Sequence, residues 1–181
     1  MNEGLSNKIS GDTEKGTVSE DLFIEIMTND GYRCYKSSRE ENMREHWDVV
    51  TVKDNIFERY DIKSKKESHG IGFTWVELKN VRGNIGWIFS EYMDIIAFEK
   101  EDCFEFVRRN ELAKLVVENI EKADLEDECG NITYCSKDNL GYYRKYSRIG
   151  REDVIVKVPF CDFEHLIYKT IYKKRCLIKH T

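Results

Sequence analysis

Apolar residues first recur at helical spacing at Val18, Leu22, Phe23, Ile26 and Met27, which predicts a helix over 18–29 with one buried face. Thr17 or Ser19 can cap its start, and Asp30-Gly31 its end, where glycine is free to turn left-handed. The period then shortens to two. YRCYKSS reads as a short strand and SREENMRE as a charged, helical connection. HWDVVTV and IFERYDIKSK read as two strands joined by turn residues Lys53-Asp54-Asn55. FTWVELKNV predicts a further strand, and Arg82-Gly83-Asn84-Ile85-Gly86 a turn that offers close approach to a phosphate or is a plain reversal. GWIFSEYM is a short helix or turn, MDIIAFEK a dense central strand, and CFEFVRR its hairpin neighbour. NELAKLVVENIEKA predicts a helix capped by Asn110. After a loop-rich stretch over 124–152, DVIVKVPF predicts a last strand and CDFEHLIYKTIYKK a last helix capped by Asp162. The order of elements points to an α/β or α+β fold.

Composition narrows the class. The chain has 181 residues, enough for one domain or one domain with an appendage. It is 40 % hydrophobic with ten Tyr, nine Phe and three Trp, too apolar for a disordered chain. No apolar run approaches the roughly 18 residues of a membrane span. The start, MNEGLSNKISGDTEKG, has no apolar segment of the kind a secretory signal needs. Residues 1–15 read as a disordered leader, 16–122 as the core, and 123–181 as a basic extension packing on it. The six cysteines form no CxxC pair, and Cys129 and Cys135 are too far apart for a zinc knuckle, so they read as reduced thiols of a cytoplasmic protein.

Net charge is −5 but uneven. Leu140–Thr181 carries ten Lys or Arg against four Asp or Glu, and the remaining 139 residues carry 19 against 30. An acidic body with a basic end can place phosphate contacts at that end only. There YYRKYSRIGRED interleaves basic residues with Tyr, and Arg144, Lys145, Arg148 and Arg151 are candidate nucleic-acid contacts. A solvated amphipathic surface is the plainer alternative.

Two constellations of acid and lysine carry chemistry. Asp48 opens one predicted strand, and Asp61-Ile62-Lys63 lies in the next. Alternation puts Asp61 and Lys63 on one face, and a hairpin can bring Asp48 beside them. Two close carboxylates repel unless a cation lies between them, and Mg²⁺ suits such a pair, with the Ile62 carbonyl as a third protein ligand. Lys63 is then placed to act on a water or on the phosphate. An exposed hairpin bearing a charge pair explains the same spacing. The second constellation is Glu77-Leu78-Lys79, which serves either as an alternative motif or as a surface ion pair. His46, two residues before Asp48, shares its face if the strand is regular. Trp47, Trp75 and Trp87 are candidates for base stacking or for core packing.

The succession GTVSEDLFIEIM, EHWDVV, RYDIKSKK, WVELKN and GWIFSEYMDIIAFE resembles the PD-(D/E)XK nuclease superfamily, in the pattern of its phage, viral or restriction-type members. The resemblance spans roughly residues 16–117. It implies an αβββαβ core of restriction-endonuclease type, with a mixed central β-sheet flanked by helices. It matches Asp48 to the motif aspartate, Asp61 and Lys63 to the (D/E)xK pair, and Glu20, ahead of Glu25, to the helix acid. The sequence departs from the pattern in having Trp47 before Asp48, an extra strand TWVELKN after the motif, and only the short GWIFSEYM segment where a longer helix is usual. The implied function is a metal-dependent endonuclease using Mg²⁺, or Mn²⁺ in its place, on DNA ahead of RNA. The alternatives are a catalytically inactive nuclease-like module that binds nucleic acid or a protein partner, and an acidic mimic of nucleic acid. Ile167, Ile171 and Leu177 are candidate contacts with the body or with a second subunit in a homodimer.

Overall fold

The computed structural model describes residues 17–64, 72–126, 133–134 and 141–173. The expected leader over 1–15, the tail with Leu177, and Cys129, Cys135 and Cys176 lie outside the described residues. The architecture is α/β with a mixed six-stranded sheet, as expected, and the chain forms two compact units, neither continuous in sequence. No helix among the described residues is long and apolar enough to cross a membrane.

Among the described residues the first unit holds 17–64, Tyr92–Phe106 and 169–173. Helix α1 (17–29) ends where Gly31 takes φ 86° and the Gly31 amide reaches the Thr28 carbonyl at 3.0 Å. It is followed by β1 (Arg33–Lys36), α2 (Arg39–Glu45), β2 (Val49–Lys53) and β3 (Ile56–Lys63). Strands β1, β2 and β3 form an antiparallel meander. Its second reversal is a two-residue loop with Asp54 and Asn55 both left-handed (φ 52° and 62°), the twist that tight hairpins need. Strand β5 (Ile95–Glu99) lies parallel to β3, pairing Asp61 with Ile96 and Lys63 with Phe98. The sheet order is β1-β2-β3-β5-β6-β10, with β6 at Cys103–Arg108 and β10 at Ile167–Tyr172.

One face of this sheet is closed by α1. Phe23, Ile26 and Met27 pack onto Val49, Tyr60, Ile62, Ile95, Ala97, Phe104, Phe106 and Ile171. Phe23 is the hub, with ring centroids 5.1 Å from Tyr60 and 5.5 Å from Phe104, in the tilted and edge-on geometry that aromatic quadrupoles favour. Leu22 packs beside this cluster, whereas Val18 in the first turn stays exposed.

Among the described residues the second unit holds 72–91, 107–126, 133–134 and 141–168. Its sheet runs β4-β9-β8-β7, where β4 is Phe73–Lys79, β7 Thr133–Tyr134, β8 Tyr146–Ser147 and β9 Val154–Pro159. Helix α3 (Arg109–Glu126) begins directly after β6, so Asn110 lies inside its first turn and is not its cap. The 82–86 segment is a reversal built by Asn80, whose side-chain oxygen accepts from the Arg82 and Asn84 amides at 2.9 and 3.1 Å.

The connection from β3 to β5 carries β4 and, as expected for GWIFSEYM, only a short 3-10 turn at Trp87–Phe89. Two other expected features take another form. Strand β4 pairs with β9 and not with β3, so it belongs to the other sheet. The last helix is a single turn, α4 (Phe160–Phe163), then a 3-10 turn at Glu164–Leu166 and strand β10. The IYKTIY segment is β-branched and aromatic, and its inner positions 167, 169 and 171 are the less exposed ones, so a period of two prevails over the helical reading.

Gly86 shows how tightly the second unit closes. A side-chain carbon there meets the Glu77 carbonyl oxygen at 2.1 Å, and the Gly86 amide donates to Leu78 at 3.0 Å. Because the obstacle is backbone, Gly86→Ala is expected to destabilise the protein by about 1–3 kcal/mol, read as a lowered melting temperature in thermal denaturation.

Candidate functional site

Helix α2 starts with a capping box: the Glu41 amide donates to Ser38 Oγ at 3.2 Å, and the Ser38 amide to Glu41 Oε2 at 2.8 Å. It ends at His46, left-handed at φ 61°, whose amide still reaches the Asn42 carbonyl at 3.0 Å. His46 therefore terminates a helix and is not part of β2, so strand alternation does not set it beside Asp48. The tight exit folds the chain back so that Asn42 Nδ2 donates to the Asp48 Oδ1 oxygen and, at 3.2 Å, to the Trp47 carbonyl.

Asp48 sits where β2 leaves β3. Its amide donates to the Tyr60 carbonyl at 2.7 Å, and its Oδ2 accepts from the Ile62 amide at 2.7 Å. The carboxylate thus takes the place of a ladder carbonyl. Within a strand, the amide and carbonyl of one residue face the same edge, so the Ile62 carbonyl also faces the side from which Asp48 approaches. Asp61 is buried, and Lys63 Nζ lies 2.6 Å from its Oδ2, which confirms their shared face. That contact is not aligned as a hydrogen bond, and Asp61 Oδ2 is left buried without one.

Electrostatics mark Asp48. Burial, then the neighbouring Asp61, push its carboxyl from 3.8 up to about 7, with the Ile62 amide and Lys63 opposing and Glu20 adding to the rise. Glu20 on α1 is held by Lys36 of β1 at 3.2 Å, and the same ammonium reaches Asp21 at 2.7 Å. Glu25 is exposed on the same helix. Asp48, Asp61, Ile62 and Lys63 therefore come together, with Glu20 in electrostatic range.

Among the described residues no three acidic, His or Cys side chains form a metal-holding group. Mg²⁺ asks less of the protein, however, since it is commonly held by one or two carboxylates with waters completing its octahedron. Two mutually repelling carboxylates, one with a buried oxygen lacking a hydrogen bond, fit that requirement.

Most of the other candidates belong to the second unit. Glu77 and Lys79 are on β4, where the register with β9 slips between them, so the expected alternation is broken. Arg144, Lys145, Arg148 and Arg151 belong to the second unit. Arg144 donates to the Ala123 carbonyl at 3.1 Å, Lys145 pairs with Asp124 at 2.8 Å, and Arg148 pairs with the buried Asp153. Arg151 is exposed in the following turn. Trp47 and Trp87 are buried, and Trp75 packs edge-on to Phe73 and Tyr146. Asn42 and Lys36 were not singled out from the sequence. Lys36 acts on acids of the preceding helix, Asn42 on an acid beyond the reversal at His46, and an asparagine in a charged helix gives no periodic signal.

The Asp48 shift has a sign. Between pH 3.8 and about 7 the folded protein holds a proton that the unfolded chain has released, so this group's contribution to stability is lost as pH rises through that window. In EDTA, denaturant titrations of wild type and Asp48→Asn are expected to diverge, with the variant gaining relative stability from pH 4 to pH 7. A pH-independent difference contradicts the assigned environment. No family model, curated protein or solved structure matches the chain, so the reading of this site rests on its own residues.

Proposed function

We propose that this chain is a divalent-cation-dependent nuclease of PD-(D/E)XK type, acting on DNA ahead of RNA. The observation that carries the reading is the bond from the Ile62 amide to Asp48 Oδ2, which joins the lone aspartate to the centre of the Asp-Ile-Lys motif. The order helix, three-strand meander and a strand parallel to the third supports it, with Asp48 at the start of β2 and Asp61 and Lys63 at the end of β3.

Asp48, Asp61 and the Ile62 carbonyl would hold the ion, Mg²⁺ or Mn²⁺. When bound, it supplies Lewis acidity and a more acidic water. Asn42 fixes one oxygen of Asp48 and the Ile62 amide the other, so this carboxylate does not rotate. Lys63 Nζ, poised on Asp61, is the group that orients the attacking water or meets charge building on the phosphate. Lys36 offsets Glu20 and keeps α1 docked beside β1.

With Mg²⁺ or Mn²⁺, the purified chain is expected to cleave DNA. Alanine at Asp61 or Lys63, and asparagine at Asp48, which keeps an oxygen to accept from the Ile62 amide, are each expected to lower the rate by roughly 10²–10⁴-fold while circular dichroism stays unchanged. Failure to cut DNA or RNA, or normal cutting by Asp61→Ala, ends the enzymatic reading. Calorimetry separates it from a silent binding module, since a working site binds Mg²⁺ and loses that binding in Asp48→Asn.

A further inference from the structure

The face of the first sheet opposite the α1 core carries an exposed set of side chains that the proposed chemistry does not use. Cross-strand partners share a face, and the registers link Arg33 to Val52 and Val52 to Phe57 across the meander. One step along, they link Tyr35 to Val50 and Val50 to Arg59. Arginine and aromatic therefore alternate at the corners of a small checkerboard, with valines between. Phe57 is 69 % and Tyr35 53 % exposed, and both arginines are exposed. An unpaired aromatic face of this kind is costly to leave in water and marks a contact surface.

The same face continues into the site. Phe57, Arg59, Asp61 and Lys63 are alternate residues of β3, so they project in one line from the hairpin to the motif. Arg59 is held over the Trp47 ring at 5.7 Å, and Trp47 is pinned by its Nε1 donating to Glu45 Oε2 at 3.0 Å. Glu45 acts on Arg59 electrostatically, and Asp94 accepts from the Arg59 backbone amide at 3.0 Å.

We infer that this face of β1, β2 and β3 binds a single nucleic-acid strand, with bases stacked on Phe57 and Tyr35 and phosphates met by Arg33 and Arg59, and leads it along β3 to Asp61. Charge complementarity selects the occupant, since a basic and aromatic surface suits a polyanion with stackable bases. Stacking on flat rings needs unpaired bases, so the inference specifies a single-stranded segment. As the route to a cleavage site it rests on the nuclease reading; as a binding surface it stands without it.

The test is fluorescence anisotropy of the whole chain in EDTA, with a labelled single-stranded DNA, an RNA of the same sequence, and the DNA duplex. Single strands are expected to bind more tightly than duplex, and the DNA and RNA arms show which sugar is preferred. Phe57→Ala and Tyr35→Ala are each expected to weaken binding on the order of tenfold, and Phe57→Trp to retain it. Arg33→Gln with Arg59→Gln should reduce the slope of log affinity against log salt by about 1.4. The inference is overturned if no single strand binds, if duplex binds more tightly, or if the two alanine variants bind like wild type. It is also overturned if sedimentation shows a dimer that Phe57→Ala dissolves. Binding without cleavage in Mg²⁺ overturns the nuclease reading alone, and cleavage with an unchanged KM in Phe57→Ala overturns this inference alone.

Discussion

A carboxylate standing in for a backbone carbonyl organises the centre of this protein. Where β2 turns away from β3, the Ile62 amide would lose its ladder partner, and Asp48 Oδ2 accepts from it instead. A buried amide without an acceptor costs on the order of 1–3 kcal/mol, so the strand divergence and the aspartate require each other. The same bond brings a second negative charge toward Asp61, and it is this crowding, added to burial, that raises Asp48. Structure and electrostatics at this point are one interaction seen from two sides.

The surrounding elements make that arrangement rigid. The capping box starts α2, the left-handed His46 stops it, and the short helix delivers Asn42 to the other Asp48 oxygen. Strand β5 pairs alongside Asp61 and Lys63, while the Phe23 cluster fixes the opposite face of the sheet. Ser19 donates to Glu99 at 2.5 Å and Lys173 reaches the same carboxylate at 2.8 Å. Helix α1, which bears Glu20, is thereby tied to the end of β5.

Much of this was legible in the order of residues. The α1 face, the Asp54-Asn55 hairpin and the dense central strand follow from periodicity and turn chemistry alone. The pairing of Asp61 with Lys63 follows from alternation. Other features depend on partners that pattern does not name. TWVELKN has the period of a strand, but only β9 decides that it joins a different sheet. IYKTIY satisfies both a helical and a strand spacing, and pairing in the sheet settles it. The role of His46 was hidden because its backbone departs from the strand that its neighbours suggest, and Asn42 because its target lies beyond a reversal of the chain.

The interleaving of the two units has a consequence for how the molecule is made. Strand β3 reaches its parallel neighbour β5 only after the polypeptide has passed through β4 and its 3-10 turn, and the sheet is finished by β10 near residue 170. Such distant pairings raise contact order and slow folding. Neither unit corresponds to one uninterrupted stretch of sequence, so the ribosome must have passed Tyr172 before the last strand of the first sheet can be added, and no single truncation yields either unit by itself.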